Sequence, residues 1–219
     1  MRCLERNGLR MNKNISIEQV EKLFKDREPK PVGRYKYFSV LLPLVEKDGK
    51  LHVLYEVRAS KMKTRPGEVC FPGGGIEKGE TKEQCAVRET CEELGVPASA
   101  IEIINEIDML HVYSNYTMYC YLGKLDYEEL LKATPSEHEV EEYFLVPLEE
   151  MLETEAFVYP VDIKPMIGED FPYHMVGPED TYNWSQGQYE IPIYRFGDRV
   201  VWGLTARLTK AFLEVIKES

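Results

Sequence analysis

The sequence predicts an α+β fold. Runs of apolar and β-branched residues bounded by turn residues indicate strands. Two segments, residues 81–95 and 205–217, carry apolar side chains at the three- and four-residue spacing of amphipathic helices. Strands and helices do not alternate strictly along the chain. This order favours layers of sheet and helix over a doubly wound parallel sheet.

Composition limits the class of protein. The 219 residues suit one domain, and we expect a flexible leader at residues 1–15, starting at Met1 or Met11, before a single domain at 16–219. The net charge of −11 argues against binding to nucleic acid or to an anionic membrane. No apolar run is long enough to span a membrane. Five cysteines without a Cys-x-x-Cys pair favour a reduced, cytoplasmic setting.

The first half of the chain predicts a helix followed by a hairpin. Residues 16–27 have one apolar side, and Pro29 ends this segment. Tyr37–Val45 is a predicted buried strand, Asp48-Gly49 is a hairpin turn, and Leu51–Val57 is the returning strand.

Residues 81–95 form the clearest predicted helix. Thr81 followed by Gln84 is a capping-box start, and Gly95 is a typical residue just past a helix end. At about 100° per residue, one apolar face spans an arc of about 140°. We expect this face to be buried and Cys85 to be exposed; the face comprises Ala86, Val87, Thr90, Cys91 and Leu94.

Three carboxylates crowd the other side of this helix. Glu89, Glu92 and Glu93 are spaced i, i+3, i+4, so they repel one another and raise one another's pKa. A hard cation such as Mg²⁺, which prefers oxygen ligands, would relieve that repulsion. The alternative is an ordinary solvent-exposed helix face. The preceding Phe71–Gly75, whose glycines let the backbone approach a phosphate or metal, favours the metal site.

The second half predicts further strands and a closing helix. Residues 153–190 are rich in Pro, Gly and aromatic residues and predict an inserted long loop or short hairpin. The predicted strands are residues 101–110, 113–125, 140–146, 191–196 and 200–202, and the predicted helices are residues 127–132, 147–152 and 205–217.

The segment from Gly74 to Val96 resembles the signature of the Nudix family, G-x5-E-x7-R-E-U-x-E-E-x-G-U with U apolar. The positions that match at the correct spacing are Gly74, Glu80, Arg88, Glu89, Glu92, Glu93, Gly95 and Val96. Thr90 departs from the usual apolar residue. The resemblance implies the Nudix fold, a mixed sheet between helices (α/β/α), and hydrolysis of a nucleoside diphosphate linked to another group with Mg²⁺ or Mn²⁺.

The resemblance also implies roles for the site residues. Glu89, Glu92 and Glu93 would hold the metal with the Gly73 carbonyl, and Glu89 is the candidate general base. Arg88 would orient a carboxylate through a salt bridge to Glu92 or to the supporting Glu80. A further acid often comes from a distant loop in this family; the candidates are Glu137, Glu139, Glu141 and Glu142.

Further segments resemble the coenzyme A diphosphatase branch of the family. Residues 54–74 follow its motif LL-T-x-R-S-x-x-L-R-x-H-x-G-Q-V-x-F-P-G-G, although Ala59, Arg65 and Glu68 replace Ser, His and Gln. Residues 139–148 and 201–206 resemble its E-V-x-E-V-F-x-V-P-L and I-W-G-L-T-A segments.

The branch implies cleavage of CoA or an acyl-CoA into 3′,5′-ADP and (acyl-)4′-phosphopantetheine. Four cations within residues 58–65 suit the phosphates of such a substrate, because arginine binds phosphate bidentately. The alternative for these cations is a solvated loop. The predicted substrate-binding residues are Arg58, Lys61, Lys63, Arg65, Gly67, Phe71 and Gly74.

Two other functions remain open from the sequence. One is a Nudix hydrolase of ADP-ribose, NADH or dinucleoside polyphosphates. The other is a non-catalytic Nudix domain that senses a nucleotide, although such domains typically lose the signature acids that this chain keeps. The aromatic residues of segment 153–190 suit either a homodimer contact or a lid over the pantetheine arm.

Overall fold

The structure is a computed structural model that describes residues 15–29, 31–177 and 182–219. It divides into two units, residues 1–35 and 36–219. Residues 1–14 of the predicted leader lie outside the described residues. The predicted single domain over 16–219 stays a prediction.

The described part of the first unit contains helix α1, Ile17–Phe24. A capping box starts the helix, because the Ser16 hydroxyl accepts from the Gln19 backbone N–H while the Gln19 side chain accepts from the Ser16 N–H. The helix is shorter than the predicted 16–27. Its apolar residues, Ile17, Val20, Leu23 and Phe24, are all exposed.

The second unit begins with a hairpin of β1 (Lys36–Lys47) and β2 (Lys50–Arg58). Asp48 and Gly49 form its turn with φ of 52° and 71°, the left-handed geometry that such two-residue turns require. Two short strands follow, β3 (Val69–Cys70) and β4 (Gly73–Gly75). The predicted strands and turn are confirmed.

Helix α2, Lys82–Leu94, has the predicted ends. Thr81 caps its N-terminus in a capping box with Gln84, and Gly95 ends it at a φ of 74°. A Cβ at Gly95 would overlap the Thr134 carbonyl, so both the backbone angle and the space favour glycine.

The buried side of α2 differs from the predicted one. Cys85 and Glu93 are buried, whereas Val87 and Cys91 are half-buried. The predicted exposure of Cys85 is therefore wrong. The buried side is shifted towards the glycine run, where Gly73 donates to Glu93 and the Cys85 thiol donates to the Gly74 carbonyl at 3.6 Å.

The remaining elements largely follow the prediction, except within the insertion. Segment 153–190, predicted as a long loop or a short hairpin, contains a strand that pairs antiparallel with a second strand starting at Gly187, and a short helix lies between them in the chain. In order, the elements after α2 are a 3₁₀ turn at Ala98–Ala100, β5 (Ile101–Val112), β6 (Tyr116–Leu125), α3 (Tyr127–Lys132), β7 (Val140–Pro147), α4 (Leu148–Glu153), β8 (Phe157–Ile163), α5 (Tyr173–Val176), β9 (Gly187–Phe196), β10 (Arg199–Trp202) and α6 (Gly203–Lys217).

Seven strands form a mixed sheet. Its central order is β3–β2–β1–β6–β5, with β4 also paired to β1 and β7 to β2. Strands β1 and β6 are parallel, and the other pairings are antiparallel. Strands β8, β9 and β10 form a second, antiparallel sheet with β9 in the middle.

Both faces of the larger sheet are covered, because alternate residues of β1 point to opposite sides. Val40 and Leu42 join the core formed with α4, α6 and the second sheet. On the other face, Leu41 packs with Ala86 of α2, and Val45 joins a cluster that includes residues of α2 and α3. This arrangement confirms the predicted α+β fold with a mixed sheet between helices.

Candidate active site

Glu93 is the most buried carboxylate of α2, with 5% of the residue exposed. Its Oε2 accepts a hydrogen bond from the Gly73 backbone N–H at 2.8 Å. Burial raises the pKa of Glu93 to about 9, and the nearby charges of Glu56, Glu89 and Glu139 add to the rise. In the protein alone, burial and the neighbouring acids therefore favour the protonated form of Glu93.

Glu89 lies against the glycine run before α2. A Cβ added at Gly74 would overlap the Glu89 carboxylate, so glycine at this position lets the carboxylate reach the backbone. Burial raises the pKa of Glu89, while the Arg88 guanidinium, 3.0 Å away, opposes the rise.

Arg88 joins several acids in one network. Its Nε and Nη2 donate to the two oxygens of Glu80 at 3.0 and 2.9 Å, and its Nη1 lies 3.0 Å from Glu92 Oε2. The two bonds from Arg88 to Glu80, together with one from the Glu77 N–H, lower the pKa of Glu80 to about 2. Both expected ion pairs of Arg88 are present. The Glu92 side chain is 56% exposed, and it does not line the cavity described below.

Glu56 on β2 is an acid that the sequence analysis missed. Only 1% of it is exposed, and its Oε1 accepts from the Cys70 thiol at 3.2 Å. Its Oε2 is buried without a hydrogen-bond partner among the described residues. Burial raises the pKa of Glu56 to about 7. Two signals could have found it: an acid inside the apolar run VLYEV, and its place where the quoted branch motif has threonine.

One of the four candidate distant acids reaches the site. Glu139, just before β7, lines the same cavity as Glu89 and Glu93. Glu141 instead accepts from the backbone and hydroxyl of Ser60 at 3.1 Å. Glu142 forms a bidentate pair with Arg199, and Glu137 is exposed.

A cavity of about 700 Å³ adjoins these carboxylates. Of the predicted substrate-binding residues, Arg58, Arg65, Phe71 and Gly74 line it. Phe71 is buried and stacks on Tyr55 at 4.9 Å between ring centroids.

The prediction for the rest of the basic loop is not matched by the cavity. Lys61, Lys63 and Gly67 are exposed and do not line it, whereas the intervening Met62 and Thr64 do. Which side chains of the loop line the cavity is a property that its charge pattern alone does not reveal.

The far wall comes from segments distant in sequence from α2, including part of the insertion that the sequence predicted as a lid or a dimer contact. These are the turn between β5 and β6, strands β8 and β9 of the insertion, and the first turns of α6. The side chains that matter below are Tyr113, Tyr116, Tyr189 and Arg207.

The donor atoms of the acidic wall suit a hard cation. Glu89, Glu93 and Glu139 share the cavity, and the charges of Glu56, Glu89 and Glu139 raise the pKa of Glu93 because the acids lie close together. Carboxylate oxygens are the ligands that Mg²⁺ prefers, and Mg²⁺ keeps several waters of its own. Within residues 15–29, 31–177 and 182–219, no three His, Cys, Asp or Glu side chains stand close enough to hold a metal as they are.

Comparison with known proteins decides the family. A family profile described as "NUDIX domain" matches residues 36–164. The chain belongs to the Nudix family.

Named relatives of this Nudix chain include two coenzyme A diphosphatases. Mouse "Peroxisomal coenzyme A diphosphatase NUDT7" is 37% identical over 139 residues, 63% of this chain and 57% of the relative. Human "Mitochondrial coenzyme A diphosphatase NUDT8" is 29% identical over 185 residues, 81% and 68% of the two chains. "Uncharacterized Nudix hydrolase NudL" of Enterobacter sp. (strain 638) is 30% identical over 173 residues, 78% of each chain.

A solved structure supports the fold. The "MutT/nudix family protein from Enterococcus faecalis" is similar with a TM-score of 0.51 at 16% identity, covering 93% of this chain and 70% of that one.

For the mouse relative and for "Nudix hydrolase 3" of Caenorhabditis elegans, the matched region spans 57% and 48% of the relative's length.

Proposed function

We propose that this Nudix chain hydrolyses the diphosphate bond of CoA or an acyl-CoA, giving 3′,5′-ADP and (acyl-)4′-phosphopantetheine. The observation that carries this proposal is a single cavity lined by both the α2 carboxylates and arginines. Glu89, Glu93 and Glu139 suit a diphosphate with its metal, and Arg58 and Arg65 suit substrate phosphates. The names of the mouse and human relatives support the same substrate class.

Mg²⁺ or Mn²⁺ is the proposed cofactor. Glu89, Glu93 and Glu139 would hold it, with Glu92 and the Gly73 carbonyl as the further predicted ligands. When bound, the cation would stabilise charge on the diphosphate oxygens and lower the pKa of a bound water.

The chain's own groups position the acids. The Gly73 N–H fixes one oxygen of Glu93, and Gly74 leaves room for Glu89 against the backbone. Arg88 connects Glu80, Glu89 and Glu92, so it acts as a positioning residue. Glu89 is the proposed proton acceptor, because burial raises its pKa and a carboxylate oxygen near the diphosphate can take a proton from the attacking water.

Location and assembly complete the proposal. Among the described helices, none is long and apolar enough to cross a membrane. We retain the cytoplasmic location and the homodimer as predictions, while the names of the mouse and human relatives specify peroxisomal and mitochondrial proteins.

A hydrolysis panel tests the function. CoA, dephospho-CoA, acetyl-CoA, ADP-ribose, NADH and diadenosine polyphosphates are compared in Mg²⁺ and then in Mn²⁺. Glu93→Gln removes the charge of one acid but keeps an oxygen that can accept from Gly73, and it should abolish turnover. Glu102→Gln, on the exposed pair with Lys124, is the matched control. Faster turnover of ADP-ribose or NADH contradicts the substrate assignment, and nucleotide binding without turnover favours a sensor.

A further inference from the structure

Arg65 and Arg207 line the cavity from opposite ends of the chain. Arg65 belongs to the loop after β2, and its Nη2 donates to the Tyr116 hydroxyl at 3.2 Å. Its Nε lies 3.9 Å from a Glu68 oxygen, so part of its charge is neutralised. Arg65 is thus held at the first residue of β6.

Arg207 is held differently. It lies in the second turn of α6, with its guanidinium carbon 5.7 Å from the centre of the Tyr189 ring. Tyr189 in turn contacts Tyr113, with ring centroids 5.8 Å apart. No ion pair joins Arg207 to a carboxylate of the described ranges, in contrast to Arg88 and Arg199. Stacking on a ring face leaves the N–H donors at the guanidinium edge available.

The turn between β5 and β6 links the two arginines. Tyr113 at this turn contacts Tyr189, which lies under Arg207. Tyr116, three residues later, accepts a hydrogen bond from Arg65. Both arginines are therefore linked to the same turn, Arg65 directly and Arg207 through Tyr189.

Sheet register shows how far Tyr116, at the end of this turn, lies from the glycine run beside the proposed metal-binding acids. Gly75 pairs with Phe38, and Phe38 pairs with Met118 on the opposite edge of β1, two residues from Tyr116. Two strand spacings and two residues of rise separate Gly75 from Tyr116 by about 12 Å between Cα atoms. Glu89 lies beside the adjacent Gly74, so Tyr116, which holds Arg65, lies apart from Glu89 along the sheet.

We propose that Arg207 and Arg65 together bind a phosphate monoester of the substrate, remote from the diphosphate that is cleaved, and that Arg207 sets the preference for 3′-phosphorylated nucleotides. This inference rests on the proposed function and names the residues that select its substrate. A phosphate monoester carries about −1.5 to −2 charge at neutral pH. Arg65 is partly neutralised by Glu68, so the charge of Arg207 is needed as well.

Calorimetric titration with 3′,5′-ADP and 5′-AMP in EDTA tests the inference without metal or turnover. The wild-type chain should bind 3′,5′-ADP about tenfold or more tighter than AMP, the effect of one charge-assisted contact. Arg207→Gln should reduce that ratio to near one and leave AMP binding unchanged. Lys210→Gln is the matched control. It makes the same change of charge one turn later on α6, where Lys210 pairs with Glu214, and it should keep the wild-type ratio.

Several results of this titration would overturn the inference. The wild-type chain could show no preference for 3′,5′-ADP, or the Arg207→Gln variant could keep the preference. The Lys210→Gln variant could also lose the preference as fully as Arg207→Gln does. Arg207→Lys keeps the charge and the alkyl stem, and it should give an intermediate ratio. If Arg207→Gln does not fold, Arg207→Lys decides, since an unchanged ratio also overturns the inference.

Hydrolysis assays separate this inference from the proposed function. If no variant cleaves CoA but Arg207 governs the 3′,5′-ADP preference, the phosphate site stands and the proposed reaction fails. If CoA is cleaved and Arg207→Gln leaves the CoA to dephospho-CoA ratio of kcat/KM unchanged, the reaction stands and the inference fails.

Discussion

Replacing Gly74 by alanine should separate catalysis from stability. The added Cβ would overlap the Glu89 carboxylate, which must move by about 1 Å to reach an ordinary contact distance. Glu89 is a side-chain end that can rotate away, so the free energy of unfolding should fall by about 1 kcal/mol or less. A displacement of about 1 Å in a reacting group costs about 100-fold in rate. CoA hydrolysis and urea denaturation would measure the two effects.

Gly73→Ala is the matched comparison. At Gly73 the φ is 153°, and the added Cβ would overlap the Ser39 carbonyl and the Val40 backbone, which cannot rotate away. Backbone strain and overpacking should together lower the free energy of unfolding by about 2–6 kcal/mol. Near wild-type activity in Gly74→Ala, or wild-type stability in Gly73→Ala, would refute this reasoning.

Three further changes test the surrounding acids and core. Burial raises the pKa of Glu56 to about 7 and of Glu93 to about 9, so stability without metal is full below the ordinary value of 4.5 and falls as pH rises through those values. Urea midpoints in EDTA should be lower at about pH 9 than at about pH 5. A variant with both Glu56→Gln and Glu93→Gln should show a much smaller difference. Arg88→Gln removes two bonds to Glu80 and should cost about 1–3 kcal/mol in urea denaturation with a large loss of kcat; an unchanged kcat would argue against the positioning role. Tyr55→Phe deletes a buried hydroxyl that contacts a threonine hydroxyl at 2.9 Å, and thermal unfolding should show a loss of about 1 kcal/mol; unaltered stability would contradict it.

The sequence predicted best the features that depend on neighbouring residues. Helix α2 has its predicted ends because Thr81, Gln84 and Gly95 determine them locally. The turn at Asp48-Gly49 was predictable for the same reason. The second sheet was less predictable, because β8 pairs with β9 across more than twenty intervening residues.

The site shows the same division. The spacing of the Nudix acids placed Glu89 and Glu93 on one helix, but Glu139 joins them in the cavity through loop placement, and Glu56 lies near Glu93 through the sheet. Lys61 and Lys63 carry charge without facing the cavity, whereas Arg207, far along the chain, does face it. Sequence spacing alone could not determine which side chains meet in three dimensions.

Part of the cavity wall lies outside the region that matches the family profile. The acids that would act on the diphosphate lie within residues 36–164, whereas Tyr189, Trp202 and Arg207 lie after that region. Mutations after residue 164 could therefore change which molecules are accepted while leaving the proposed catalytic acids intact. Such a division would let duplicated copies diverge in selectivity without passing through an inactive intermediate.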